Sequence, residues 1–308
     1  MPITLADLAV NSQDKLKQGF INELITDSYI LNMMTFDDCL SANGTSDLVY
    51  GYKRVKTGAS AAFRELNEEP KTSEVAIERI TTKPGILSSK WEMDRVAKAA
   101  AEDLYALKVA ESKNAVVRMF NKTLIDGDTE TDEKGFDGLA KALKGSSTEF
   151  TSAVDLTALD KMTALAFATE MDTLLASLTR DPDVLAVSPH MATVMNAICR
   201  YIGMDTITMD EAGKRVQHWD GIRIEKLRDG ALATNDVYAV CFGMEEFHGI
   251  TLAGEAGVTV ALPDWSAPGA VKSGDSEFVC GCALKATKAA GVLHPMGAKP
   301  EPETPDQG

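Results

Sequence analysis

The chain has 308 residues, of which 44% are hydrophobic and 25% are charged, and its formal net charge is −15 at pH 7. This composition is typical of a folded globular protein of one or two domains, and no run of about 18 apolar residues is present that could cross a membrane. The excess of carboxylates argues against sequence-independent binding to nucleic acid, which needs Lys and Arg to displace counterions.

Residues 1–40 are predicted to form an N-terminal arm, because their apolar side chains fall into short amphipathic stretches that cannot build a core alone. Two alternating, β-rich segments follow at residues 47–55 and 74–87. The connection between them, TGASAAFRELNEEPKTS, is far longer than the usual linker of about 4–6 residues and has few core-forming side chains. We therefore expect an extended loop over residues 47–87 that is either disordered or acts away from its own core.

The tip of this loop carries charges of both signs, with Arg64 among Glu65, Glu68 and Glu69. If a neighbouring copy of the chain receives the tip, complementary charges would fix its register more than they would add affinity. These four residues are our candidate inter-subunit contacts. The alternative is a solvated charge cluster without a partner. Glu68 and Glu69 could also be a carboxylate pair for acid–base chemistry, but for adjacent residues in an exposed loop we favour solvated side chains.

A long helix is predicted over residues 89–125. The stretch contains no Gly or Pro and is rich in Ala, Leu, Lys and Glu, which form helices readily. Ser89 and Glu92 have the spacing of a capping box at its start. Its apolar residues recur with helical spacing. At about 1.5 Å per residue such a helix would span the molecule, so we treat it as the spine of the fold.

The segment after this helix, DGDTETDE at residues 126–133, places oxygen atoms at alternate positions, as a calcium-binding loop does. Thr131 stands where such a loop needs Gly, and Asp137 replaces the bidentate Glu at position twelve. The pattern therefore favours a solvated acidic turn over a calcium site. GFDGL then predicts the end of the turn and the start of a short helix.

From residue 151 the pattern changes to alternating helices and strands. Ser188-Pro189 predicts the start of a helix that Gly203 ends. Asp220-Gly221 predicts the turn of a β-hairpin. Further strands follow, and residues 298–308 have no periodicity and are interpreted as an acidic tail.

The search for catalytic and metal-binding residues is negative. The four histidines lie far apart in sequence, and none has a zinc-motif spacing such as HExxH. Cys280 and Cys282 fall on one face of a predicted strand, where a buried apolar pair is favoured over a ligand pair. No nucleophile motif, phosphate loop or dinucleotide-binding motif occurs. We predict a protein that is not an enzyme, with no cofactor and no metal site.

The order of these parts resembles one known family, the major capsid proteins of tailed bacteriophages with the Hong Kong 97-type fold. The resemblance covers nearly the whole chain and depends on the sequence of elements more than on one sharp motif. The segments that carry it are KPGILSSKWEMD, GFDGL, SPHMATVMNAI, HWDGIRI, ALATNDVYAVCFG and AAGVLHP.

The resemblance implies an α+β fold with an N-terminal arm, an extended β loop, a spine helix, a peripheral domain and an axial domain. The implied divisions are residues 1–40 (arm), 41–150 (peripheral domain, with loop 47–87 and spine helix 89–125), 151–279 (axial domain), 280–297 (return to the peripheral domain) and 298–308 (flexible tail).

In function, the resemblance implies a structural subunit that forms hexamers and pentamers with itself and closes into an icosahedral shell around double-stranded DNA. It implies a virion protein assembled in the host bacterial cytoplasm, helped by a scaffolding protein and a portal, without sequence-specific DNA binding and without a membrane. An encapsulin-type protein compartment, which has the same fold, is the first alternative. An oligomeric α/β enzyme built on the domain after residue 151 is the second.

Overall fold

The computed structural model describes residues 28–40, 49–57, 59–69, 72, 74–100, 102–204, 207–209, 213, 215–228, 230–252 and 257–296. The predicted tail and the first 27 residues of the predicted arm lie outside these ranges. None of the helices in these ranges combines the length and the apolar character that a membrane span requires.

Helices and strands are mixed along the described chain, in agreement with the predicted α+β class. The helices are Tyr29–Met33 (α1), Arg95–Ala100 (α2), Glu102–Asp126 (α3), Leu139–Leu143 (α4), Lys161–Ser177 (α5) and Pro189–Ile202 (α6). The strands are Phe36–Leu40 (β1), Tyr50–Thr57 (β2), Ala76–Thr82 (β3), Gly85–Asp94 (β4), Glu149–Asp155 (β5), Val184–Val187 (β6), Ile207–Met209 (β7), Arg215–Trp219 (β8), Ile222–Lys226 (β9), Val237–Val240 (β10), Phe247–Leu252 (β11), Thr259–Ala261 (β12), Val271–Leu284 (β13) and Ala290–Met296 (β14).

The strands form three sheets. The largest has the order β5-β14-β10-β6-β9-β8-β7. The second has the order β1-β11-β13-β12, and β4 pairs with the other side of β13 along its whole length. The third is the antiparallel hairpin β2–β3, formed by the two β-rich segments that the sequence predicted. The hairpin ends at Thr82, so the expected loop 47–87 is too long at its end, where β4 joins the second sheet.

The spine helix is confirmed over α3 but its predicted start is wrong. Residues 89–94 belong to β4, and helical structure begins at Arg95. Trp91 and Met93 are buried while Lys90 and Glu92 are exposed, which is the two-residue alternation of a strand. Pairing with β13 therefore overrides the local helix signals, including the supposed capping box.

The seven-stranded sheet lies between two hydrophobic cores. In its central strand β6, Leu185 and Val187 pack into the core formed with α5 and α6. Val184 and Ala186 point to the opposite side, into the core that includes residues of α3. Successive side chains of a strand point to opposite faces, and both faces of β6 are buried. All four of its residues are therefore apolar.

Four phenylalanine rings join the long helix to the second sheet. Phe120 of α3 is fully buried, and its ring centroid lies 5.5 Å from that of Phe278 on β13 and 6.1 Å from that of Phe136. Phe36 of β1 lies against both Phe120 and Phe278. Gly249 on β11 leaves space for Phe36, because a Cβ at position 249 would lie 2.4 Å from its ring.

Short-range signals predict the local structure well. The side chain of Ser188 accepts a hydrogen bond from the backbone N–H of Met191, Pro189 is the first helical residue, and Gly203 ends α6 with φ of 77°. Asp220 and Gly221 both have positive φ, as the two-residue turn between β8 and β9 requires.

Strands from both sides of the expected boundary at residue 280 share sheets, while the domain boundaries themselves stay a prediction. β11 and β12 lie within the expected axial segment 151–279, yet they pair with β13 in the sheet of β4. β14 lies within the expected return segment 280–297, yet it pairs with β5 and β10 in the seven-stranded sheet. Sheet membership depends on pairing between distant strands, which the order of elements along the chain does not reveal.

We predict that Lys113→Pro destabilises the subunit by about 3 kcal/mol or more, because proline in a helix interior removes a hydrogen bond and clashes with the preceding turn. Lys113 is an exposed residue of α3, so no core contact is lost with it. Lys113→Ala is the matched control and should be near neutral. Urea denaturation of the unassembled subunit measures both, and equal midpoints would contradict the prediction.

Candidate assembly surface

The four histidines have different hydrogen-bond or ion-pair partners, and none of these contacts joins one histidine to another. His190 contacts Asn235, and His218 contacts Thr208. His248 contacts Tyr50, and His294 lies between Asp236 and Glu149. Among the described residues, no group of three or more His, Cys, Asp or Glu side chains has a metal-binding arrangement.

The cysteines whose side chains the structure describes are all buried. Cys280 and Cys282 lie on β13 in the main core, as the apolar-pair interpretation predicts. Burial raises the pKa of the Cys282 thiol to about 12, and it also raises the pKa of Cys280. Thiols of this kind stay protonated and are poor nucleophiles.

The acidic turn after α3 is organised around Lys141 of α4. Its Nζ atom lies 2.5 Å from Asp128 Oδ1, 3.1 Å from Asp137 Oδ1 and 3.7 Å from Glu130 Oε1. The hydrogen bond from Lys141 lowers the pKa of Asp128. Burial acts to raise the pKa of Asp137, but hydrogen bonds from Thr129 and Lys141 outweigh it and lower that pKa. A side-chain ammonium thus supplies the positive charge that these carboxylates attract.

The base of the hairpin β2–β3 is anchored to the second sheet by two tyrosines. The hydroxyl of Tyr50 donates to Asp37 Oδ2 at 2.9 Å and lies 3.2 Å from His248 Nε2. The hydroxyl of Tyr52 donates to the backbone oxygen of Leu284 at 2.8 Å. These contacts fix where the hairpin leaves the body of the subunit.

The tip of the hairpin contains the predicted charge cluster and brings three of its four residues together. Arg64 Nη1 donates to the backbone oxygen of Glu68 at 2.8 Å, and the backbone N–H of Glu65 donates to Glu68 Oε2 at 3.2 Å. Asn67 closes this turn with φ of 71°. Glu69 follows directly and is exposed. The turn is therefore shaped by its own hydrogen bonds, and its residues are exposed with respect to the part of the chain that the structure describes.

Two apolar residues in the same tip were missed by the sequence interpretation. Phe63 is fully exposed, and 91% of Leu66 is exposed. A single exposed apolar residue is ordinary, but two large ones three positions apart in one turn are the kind of surface that a partner can cover. The available signal was the presence of Phe and Leu inside an otherwise polar connection.

Comparisons with known proteins find relatives by structure alone. No protein-family model and no curated protein sequence matches the chain.

Among solved structures, the chain is similar to that of the holo-SrpI encapsulin complex from Synechococcus elongatus PCC 7942, with a TM-score of 0.65 and 14% identity over 95% of this chain and 96% of that one. A chain from Mycobacterium phage Bobi gives a TM-score of 0.61 with 13% identity, over 96% of this chain and 99% of that one. The capsid of Myoviridae phage XM1 gives 0.56 with 14% identity, over 96% and 99%. These similarities confirm the predicted Hong Kong 97-type capsid fold over nearly the full chain.

We predict that the hairpin anchor weakens in acid through His248. Burial, and secondly the charge of Lys285, lower the pKa of His248 in the folded subunit, so it stays neutral there while the unfolded chain takes up a proton below its ordinary pKa of 6.5. Stability contributed by neutral His248 is therefore complete above pH 6.5 and is lost as the pH falls below it.

The measurement is urea denaturation of the unassembled subunit at pH 7.5 and pH 5. His248→Phe should lose less stability between these values than the wild type does, because it cannot be protonated. His190→Gln, which changes an exposed histidine, should follow the wild type. Parallel loss in wild type and His248→Phe would contradict the prediction.

Proposed function

We propose that this chain is the major capsid protein of a tailed bacteriophage, a structural subunit that assembles with copies of itself into an icosahedral shell around double-stranded DNA. The observation that carries the proposal is the hairpin, whose base is anchored by Tyr50 and Tyr52 while Phe63 and Leu66 at its tip have no cover from the described part of the chain. Burying such a side chain is worth about 1.5–3 kcal/mol, which a second subunit would gain. The capsid fold supports this partner over an unrelated protein.

In this proposal the subunits form hexamers and pentamers, with a scaffolding protein and a portal directing assembly in the bacterial cytoplasm before the shell becomes part of the virion. The net charge of −15 fits an enclosed DNA that must move along the wall without adhering to it. The subunit would hold DNA by enclosure, with no sequence-specific contact.

We infer a structural role in preference to catalysis. The rival, an oligomeric α/β enzyme, needs reactive groups close together, whereas no described contact joins one histidine to another and the described thiols are buried. Perturbed groups such as Asp128 and Asp137 belong to the Lys141 cluster, which is satisfied within itself.

An encapsulin-type compartment is the second candidate. The observation that favours it is the TM-score of 0.65 with the encapsulin from Synechococcus elongatus. The two candidates differ in what the shell encloses, which is DNA for a phage capsid and protein for an encapsulin.

Electron microscopy and chemical analysis of native particles test the proposal in two steps. Closed shells in negative stain support a shell protein, and only small oligomers would favour the enzyme. Nuclease-protected double-stranded DNA inside the shells supports the phage capsid. Shells that enclose protein and no DNA would overturn that assignment in favour of the compartment.

We predict that Phe63→Ser combined with Leu66→Ser reduces closed shells strongly and leaves the melting temperature of the isolated subunit unchanged, because both side chains are exposed there. Leu262→Ser removes an exposed apolar side chain away from the hairpin and serves as the control. Sedimentation measures assembly and calorimetry measures melting. A shell yield equal to that of the wild type would contradict a role for the tip.

The charge cluster at the tip gives a further prediction. Arg64→Glu should reduce closed shells, and Arg64→Lys, which keeps the charge, should retain most of them. Exposed ion pairs contribute only about 0–1 kcal/mol each and weaken with salt, but a shell repeats each contact in every subunit. Sedimentation across a salt series checks this. If both variants assemble like the wild type at every salt concentration, the cluster is solvated and contacts no neighbour.

A further inference from the structure

The stem of the hairpin β2–β3 has two different faces. One face contains Tyr50 and Tyr52 and turns toward the body of the subunit. We call the opposite face the far face of the stem. Its residues are Gly51, Lys53 and Val55 of β2, which pair with Thr81, Arg79 and Ile77 of β3.

Charge is arranged oppositely on the two faces. On the face toward the body, Arg54 lies opposite Glu78, and their side chains are 3.6 Å apart in an ion pair. On the far face, Lys53 lies directly opposite Arg79, and both are exposed. Like charges at directly opposed positions destabilise a hairpin. Neither Lys53 nor Arg79 has an ion pair with any carboxylate in the described ranges.

The Arg79 side chain lies beside Gly51 on this face. A Cβ atom at position 51 would lie 3.5 Å from Arg79 Nη2 and 3.6 Å from Nε. The guanidinium therefore lies across the strand pair beside Gly51, at the distance of an ordinary van der Waals contact. Its charge is on the far face, opposite that of Lys53.

An apolar pair lies next to the cationic pair. Val55 and Ile77 face each other across the strands, and they are 58% and 64% exposed. Residues two apart in a strand are separated by about 7 Å, so the two pairs form one continuous patch. Exposed apolar side chains beside unpaired cations match the composition of a protein interface with an acidic partner.

We propose that the far face of the stem binds carboxylates of a second copy of this chain. The charge of −15 on each subunit makes a second copy a source of such carboxylates, and the two cations of the patch are complementary to it. Nucleic acid fits less well, because phosphate binding does not use the apolar pair and two cations release few counterions. The inference rests on the proposed shell function and adds a contact on the stem, separate from the tip.

Lys53→Glu tests the proposal sharply, because the two possible roles of Lys53 predict opposite results. Within the subunit, the change turns a repulsive Lys53–Arg79 pair into an attractive one, so melting of the isolated subunit should stay equal or rise. At an interface with carboxylates, the same change introduces repulsion. We expect a several-fold rise in the subunit concentration needed for shell formation. Lys113→Glu makes the same charge change at an exposed position of α3 and should shift that concentration little.

The assay is sedimentation of shells against subunit concentration at low and high salt, with wild type, Lys53→Glu, Arg79→Glu and Lys113→Glu. Loss of assembly in the two stem variants, with a smaller salt effect than in wild type, supports the contact. Assembly of both stem variants at the wild-type concentration overturns it, even though the wild-type shells still support the shell function. Failure of the wild type to form any shell, even with a scaffolding protein present, overturns the function itself. Equal loss in Lys113→Glu, or restoration of the stem variants by added polyanionic nucleic acid, overturns the choice of a second copy as partner.

Discussion

The structure depends on the packing of Phe120 against the second sheet. This ring lies in the C-terminal half of α3 and contacts Phe36, Phe136 and Phe278, so one side chain contacts two strands and the turn that follows the helix. An interior packed at crystal-like density has few alternative arrangements for such rings. These contacts therefore fix the position of the long helix against the second sheet.

The same constraint explains why the hairpin remains separate. One core beside the seven-stranded sheet contains residues of α3, and the core on the other side contains residues of α5 and α6. In the described part of the hairpin, Tyr50 and Tyr52 at its base reach a small cluster with Ile250 and Ala283. Beyond them, the stem is a two-stranded ribbon, which is marginally stable without further support. Most buried apolar contacts are thus in the body, while the proposed contact surfaces lie on the hairpin.

Sequence reasoning succeeds where a few neighbouring residues decide the structure. Ser188, Gly203 and Asp220 act within one turn, and each lies where it was predicted. It fails at Trp91, because that residue lies against Gly274 on β13, far away in sequence, and the strand pairing overrides a good local helix signal. For the candidate surface, the mixed charges of the tip were visible in the sequence. The opposition of Lys53 and Arg79 was not, since it depends on the register of two strands.

Strand β13 has a mechanical consequence. It runs for 14 residues, or roughly 46 Å, from the start of α2, where the backbone of Arg95 bonds to Ala270, to Leu284, which accepts the hydroxyl of Tyr52. Residues 83–84 join the hairpin to β4, so a pull on the hairpin that runs along the strand axis loads β13 through its pairing with β4. Its ladder with β4 has hydrogen bonds perpendicular to that axis over ten residue pairs, so the load acts on them together as shear. A ribbon loaded in this way resists separation far better than one peeled open pair by pair.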